Sequence, residues 1–269
     1  MRVCNLKKTT FAALAVGLFT LSAQSPVSAK PTARHAVRHT AATVPAGKQR
    51  DQIVTMTAEG FPVLGNPAAP VKMVEFISYT CSHCAEFSKE SKLPLNSTLV
   101  RQGKVSLELR PFLRTPVDET PSLLALCGPQ SKYFANSTAL LAAQSTWFKP
   151  PTDPDYAKRW ATLESKPAEQ RRMIAADLGL YKIMTARGYT TAELDTCLND
   201  QAKLDMLTKQ TDYAGSTIKV IGTPSFMING KLQEIYGWPE LEPRIKSAIA
   251  KNKVTSTSTG GASGAAKPR

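Results

Sequence analysis

In the stretch VEFISYTCSHCAEF, Val74 to Phe87, two cysteines enclose a serine and a histidine directly after an apolar run. A Cys-x-x-Cys unit can hold a metal, staple a turn, or exchange a disulfide with another thiol. A structural zinc site wants four ligands, and this chain offers one such pair, with its other cysteines isolated. A staple across four residues closes too short a loop to be a strong constraint on the unfolded chain. Disulfide exchange is the chemistry that asks for one attacking and one resolving sulfur. The pair supplies this asymmetry: Cys81 falls where a strand gives way to a helix, and Cys84 lies one turn further on the apolar face. At a helix start, unpaired N–H groups and the macrodipole favour a thiolate, so Cys81 is expected to be exposed and nucleophilic. His83, if protonated, would add positive charge beside it; as a plain helix-surface residue it would do nothing.

The elements that must position these sulfurs can be read from local pattern. VKMVEFISY, following Pro70, is rich in branched and aromatic residues and predicts a strand buried on both faces. Cys84, Phe87, Ser91, Leu95 and Leu99 recur at helical spacing, with Pro94 as a kink and Gly103 as a stop. KVSLELRPF predicts a second strand, with Val105, Leu107 and Leu109 inward and Ser106, Glu108 and Arg110 outward. From Thr115 to about Ser216 the pattern is helical, broken by Pro and Gly, and Thr190 with Glu193 forms a capping box. Strand character returns at Ser225–Ile228 and Leu232–Ile235, joined by the turn pair Asn229-Gly230. A closing helix is expected from Pro239 to Ala250. The sum is an α/β domain, residues 52–114 and 216–250, split by a helical insertion over 115–215.

Location bears on the sulfur chemistry. Arg2, Lys7 and Lys8 precede an apolar stretch from Phe11 to Leu21, and Val27-Ser28-Ala29 resembles a cleavage site, so residues 1–29 are expected to be a secretory signal peptide. No later stretch reaches the roughly 18 apolar residues of a spanning helix, so the mature chain is expected not to span a membrane. Cys4 lies before the apolar run and would be discarded with it. Cys81, Cys84, Cys127 and Cys197 then remain in an oxidising compartment. Cys127 and Cys197 each sit on an apolar helical stripe, as two buried thiols or as a disulfide; export favours the disulfide.

The net charge of +13 at first suggests an anionic partner. Its distribution argues otherwise, because residues 52–250 hold 22 basic against 20 acidic residues. The excess belongs to the ends, where residues 30–51 read as a flexible linker and 251–269 as a disordered tail, so no nucleic-acid face is expected.

EFISYTCSHC together with GTPSFMING about 140 residues later resembles the DsbA family of exported thiol:disulfide oxidoreductases. The resemblance covers roughly residues 53–250 and implies a thioredoxin fold with an inserted helical domain. It implies that Cys81 is the nucleophile, Cys84 the resolving cysteine, and Thr223-Pro224 a cis-proline loop facing them. A proline before a strand removes a ladder donor, and a cis bond there would turn the Thr223 backbone outward to pair with an extended substrate. Glu75 corresponds to an acid that many members carry on the strand beneath the active-site helix. Buried, it would have a raised pKa suited to accepting a proton from Cys84; at an open edge it would not. Ser82 stands where the family commonly has proline, and Thr223 where its best-known oxidant has valine.

The expected activity is that of a periplasmic enzyme passing a Cys81–Cys84 disulfide to reduced exported proteins, with a membrane redox partner reoxidising the dithiol. The dithiol carries the two electrons itself, so no cofactor and no metal are implied. A disulfide isomerase or reductase of the same fold, or a non-redox binding or copper-delivery module, are the alternatives.

Overall fold

Two neighbouring runs of branched residues, each too apolar for an exposed face, set the centre of the sheet. The computed structural model describes residues 49–148 and 154–258. In it, β3 (Val71–Ile77) pairs in parallel with β4 (Val105–Pro111) over their whole lengths, from Val71 opposite Val105 to Ile77 opposite Pro111. Parallel neighbours need a crossover, and α1 (Ser82–Ser91) with its continuation Lys92–Val100 supplies it. The continuation is wound as a π-helix and contains Pro94, whose missing N–H breaks the regular bonding pattern.

On the other side of β3 lies β5 (Ser225–Ile228), antiparallel, followed by β6 (Lys231–Gln233) across a tight hairpin. Asn229 and Gly230 both have positive φ, 48° and 80°, the conformation that a two-residue hairpin turn demands and that these residue types tolerate. Two further strands, β1 (Val54–Met56) and β2 (Pro62–Leu64), complete the order β1-β2-β4-β3-β5-β6. Because β2 covers its outer edge, β4 is interior. Ser106 and Glu108, expected outward to water, are therefore buried at 3% and 8% exposure, with Glu108 accepting from Arg110 Nε at 2.6 Å.

The segment after β4 is helical: α2 (Glu119–Ala125), α3 (Tyr133–Ala142), α4 (Gln144–Trp147), α5 (Pro154–Ala161), α6 (Pro167–Asp177), α7 (Leu180–Thr185), α8 (Thr191–Leu198) and α9 (Gln201–Tyr213). The capping box forms at α8, Thr190 Oγ1 accepting from Glu193 N at 3.2 Å and Thr190 N donating to Glu193 Oε2 at 2.7 Å. These helices share one apolar core with Ile77, Tyr79, Cys81 and Cys84. Their packing therefore ends on the site.

A second core joins Met73 and Leu107 of the sheet to Phe87 of α1 and to Leu241 and Ile245 of α10 (Trp238–Ser258), while Phe76 faces Val220 and Ala214 on the opposite side. The closing helix continues beyond the expected end at Ala250 into the 251–269 segment, with Asn252 Nδ2 donating to Pro70 O at 2.9 Å. The far end of the 30–51 segment is likewise held: Arg50–Gln52 forms a helical turn, and Asp51 accepts from Arg101 Nη2 at 2.7 Å. The signal peptide expected over residues 1–29 lies outside the described residues. No helix among the described residues is long and apolar enough to cross a membrane.

Candidate active site

Strand β3 delivers the chain to a turn, Ser78–Thr80, and Cys81 then occupies the N-cap position of α1 with extended backbone, φ −93° and ψ 116°. Its carbonyl accepts the first helical N–H groups, from Cys84 at 3.1 Å and Ala85 at 3.3 Å. Its sulfur lies beside the backbone N–H groups of His83 and Cys84 in that first turn. The helix start predicts an exposed sulfur, whereas Cys81 is only 4% exposed, because the loop before β5 closes over it. The Thr223–Pro224 peptide of that loop is cis.

The Thr223 carbonyl, which the resemblance assigns to an extended substrate, lies 3.1 Å from Cys81 Sγ and accepts from it when that sulfur is protonated. The Thr223 hydroxyl is buried without a partner of its own while Cys81 is a thiol, and it stabilises the thiolate once the proton leaves. Both groups of Thr223 thus face the sulfur.

Cys81 has its pKa lowered from 9.0 to about 5. The largest cause is the hydrogen bond from the Cys84 thiol, joined by the Thr223 side chain and the backbone N–H groups of Cys84 and His83, against an opposing effect of burial. Cys84 is fully buried, and burial first, then the neighbouring Cys81, push its pKa well above the usual thiol value. One sulfur is therefore ionised at neutral pH and the other protonated, the division of labour that exchange requires.

His83 enters this arrangement through its backbone. Its side chain is 76% exposed, with Nδ1 3.7 Å from Glu86 Oε2, while its N–H bonds toward the Cys81 sulfur. Glu75 lies on the central strand rather than at an open edge, is 4% exposed, and has its carboxyl pushed by burial from 4.5 up to about 8. Once ionised, above that value, it also raises the Cys84 pKa through its charge. A cavity of about 30 Å³, lined by Glu75, Ser88, Ser91, Asn96 and Ser137 among others, has room for a water or two beneath α1.

Cys127 and Cys197 are joined by a disulfide, with their Cα atoms 5.5 Å apart, tying the loop after α2 to α8 within the helical segment. They take no part in the site itself. Three residues that touch the site carry no signal in the sequence. Gln144 Nε2 donates to Tyr79 O at 2.7 Å and to Cys81 O at 2.8 Å. Buried Asp118 accepts from Ser78 Oγ, Thr80 N and Thr80 Oγ1. Ser137 Oγ pairs with the Tyr79 hydroxyl at 2.8 Å. All three come from the segment after β4, and only the fold brings them here.

A profile of the thioredoxin family, described as "Thioredoxin", matches residues 57–249. A protein-disulfide isomerase from Novosphingobium aromaticivorans is 39% identical and superposes with a TM-score of 0.66, covering 70% of this chain and 96% of its own. Alpha-DsbA1 of Wolbachia pipientis is 20% identical with a TM-score of 0.56, covering 77% of this chain and 99% of its own, a likeness of fold alone. A Rickettsia bellii relative named "Putative protein-disulfide oxidoreductase" is 28% identical over 195 residues, 71% of this chain and 66% of its own length. The chain spans 61% to 66% of the length of the curated relatives it matches. With its six-stranded sheet, its helical insertion and a Cys-x-x-Cys pair at the head of α1, the chain belongs to the thioredoxin family and has the DsbA-like form of that fold.

Proposed function

We propose that this chain is an exported protein dithiol oxidase that gives its Cys81–Cys84 disulfide to reduced protein substrates. The observation that carries this reading is the split between the two sulfurs, Cys81 held near a pKa of 5 and Cys84 held far above the thiol range. In the oxidised protein a substrate thiolate attacks Cys81 Sγ, the Cys81–Cys84 bond breaks, and Cys84 leaves with the electron pair. Glu75, protonated at neutral pH by virtue of its burial, gives that buried sulfur a proton and takes one back when Cys84 attacks in the reverse sense. A second substrate thiolate then attacks the substrate sulfur of the mixed disulfide, and Cys81 departs as a stable thiolate. Two electrons have passed from the substrate to the pair, and a membrane redox partner removes them.

As a thiolate, a disulfide or a mixed disulfide Cys81 has no proton to donate, so the Thr223 carbonyl is open to the backbone N–H of an extended substrate segment. Ile221, 88% exposed two residues before Thr223, offers an apolar contact for that segment. Periplasmic location is supported by the basic, apolar and small-residue pattern of residues 1–29 and by the Cys127–Cys197 bridge, which persists in oxidising compartments.

Isomerase action is the second reading, favoured by the name of the Novosphingobium aromaticivorans relative. One experiment separates them: the oxidised protein is mixed with a reduced two-cysteine peptide, and the reduced protein with a protein carrying scrambled disulfides. Rapid stoichiometric oxidation of the peptide with slow unscrambling supports the oxidase. Fast unscrambling with little peptide oxidation moves the assignment to an isomerase, and inactivity in both assays leaves a non-redox binding module.

A further inference from the structure

The peptide unit just before the nucleophile is gripped at both ends by side chains from outside the strand and helix that carry it. In the Tyr79–Thr80 unit the carbonyl accepts from Gln144 Nε2 at 2.7 Å, and the N–H donates to Asp118 Oδ1 at 3.0 Å. The same Gln144 nitrogen reaches past Thr80 to the Cys81 carbonyl at 2.8 Å. Both gripping residues are covered, Asp118 at 0% and Gln144 at 6% exposure, so these bonds do not compete with bulk water.

Each residue is itself fixed. Asp118 Oδ2 also accepts from Arg114 N at 3.0 Å and Thr115 N at 3.1 Å, which anchors it at the entry to the helical segment. Gln144 is the first residue of α4, whose Trp147 Nε1 donates to Leu140 O of α3 at 2.8 Å. The turn is therefore held against a rigid frame of insertion helices.

The consequence for the sulfur is geometric. Hydrogen bonds from the His83 and Cys84 backbone N–H groups to the Cys81 thiolate weaken steeply when the donor angle opens. The orientation of the Tyr79–Thr80 unit and of the Cys81 carbonyl determines where Cys81 Sγ sits relative to those donors and to Thr223. We propose that Gln144, with Asp118 as its counterpart, is a positioning residue that holds Cys81 in its thiolate-stabilising geometry, so that the helical insertion sets the reactivity of the pair. This rests on the reading of Cys81 as the exchanging sulfur.

The test is Gln144→Met, which keeps length and neutrality and removes both donated bonds. The Cys81 titration, followed by thiolate absorbance in the reduced protein, should move up by about one pH unit. The equilibrium of the pair with glutathione should shift about tenfold toward the disulfide with it. Leu194→Ala, a cavity in the insertion core away from the turn, serves as the control and should lower the melting temperature while leaving the titration in place. An unmoved titration in Gln144→Met overturns the proposal, and so does an equal movement in Leu194→Ala, since general loosening would then explain both.

If Gln144→Met does not fold, the unmodified protein decides. The Gln144 side-chain amide resonances should exchange slowly with solvent and follow the Cys81 titration, and fast exchange with no such response overturns the proposal. A parent protein whose Cys81 titrates in the ordinary thiol range would instead overturn the functional reading beneath it.

Discussion

Oxidising the Cys81–Cys84 pair removes a thiolate from the folded protein, and the stability of the two redox forms should therefore diverge with pH. Cys81 has a folded pKa of about 5 against an ordinary value of 9.0. A depressed pKa contributes stability that is present in full above the unfolded value and is lost as pH falls through the folded one. The window for the reduced form thus runs from pH 9 down to pH 5, at about 1.4 kcal/mol per pH unit before screening. Solvent screening at a site that opens to substrate weakens the shift, which leaves the slope unchanged and narrows the window to roughly half its width. The oxidised form gains a contribution of its own, about 2 kcal/mol from closing a four-residue loop, and this does not vary with pH. Near pH 7 the two contributions are similar in size, so the slope carries the test. For a folded region of this size, 1 kcal/mol moves the melting temperature by about 2–4 °C. The reduced-minus-oxidised difference should therefore rise by roughly 5–15 °C between pH 5 and pH 9. Thermal melts of both forms across that range, with the reductant held constant, measure it. A difference that stays flat or falls with pH refutes the thiolate argument.

Replacing Cys84 by alanine leaves an attacking sulfur with no resolving partner, so mass spectrometry should find mixed disulfides on Cys81, whereas Cys81→Ala should trap almost none. Glu75→Gln removes a carboxyl whose pKa is raised to about 8, and such a group contributes stability below pH 4.5 that is lost as pH rises through 8. The variant should consequently gain on the parent between those limits, by about 1.4 kcal/mol per pH unit at most, while releasing Cys84 more slowly in stopped-flow exchange. Equal melting curves at pH 6 and pH 8.5 would contradict the buried charge. Serine at both Cys127 and Cys197 opens a bridge of sequence separation 70 and should cost about 4 kcal/mol in denaturant unfolding, leaving the Cys81 titration unchanged.

What the sequence made legible was local. The branched run of β3, the helical spacing after Cys84, the Asn229-Gly230 turn and the Thr190–Glu193 box each carry their own chemistry within a few residues. The strands β1 and β2 are three residues each and show no alternation long enough to register. Missing β2 hid the interior place of β4 and hence the burial of Glu108, since an alternating pattern reads as half-exposed unless its neighbours are known. At the site, Cys81, Cys84 and the Thr223–Pro224 loop announced themselves through the paired motifs. The covering of Cys81 by that loop did not, because it spans a sequence separation of 142. Gln144 and Asp118 were invisible for the same reason, as a lone glutamine or aspartate has no meaning until the fold shows which carbonyl or amide it meets.

The direction of exchange is the central claim, and the reduction potential of the Cys81–Cys84 pair tests it most directly. The protein is equilibrated in graded glutathione buffers at pH 7, quenched with an alkylating agent, and the reduced fraction read by mass. A thiolate stabilised as described predicts a midpoint less negative than about −200 mV, so that the pair oxidises thiols the glutathione pool keeps reduced. A midpoint more negative than that would contradict the account and make the protein a reductant.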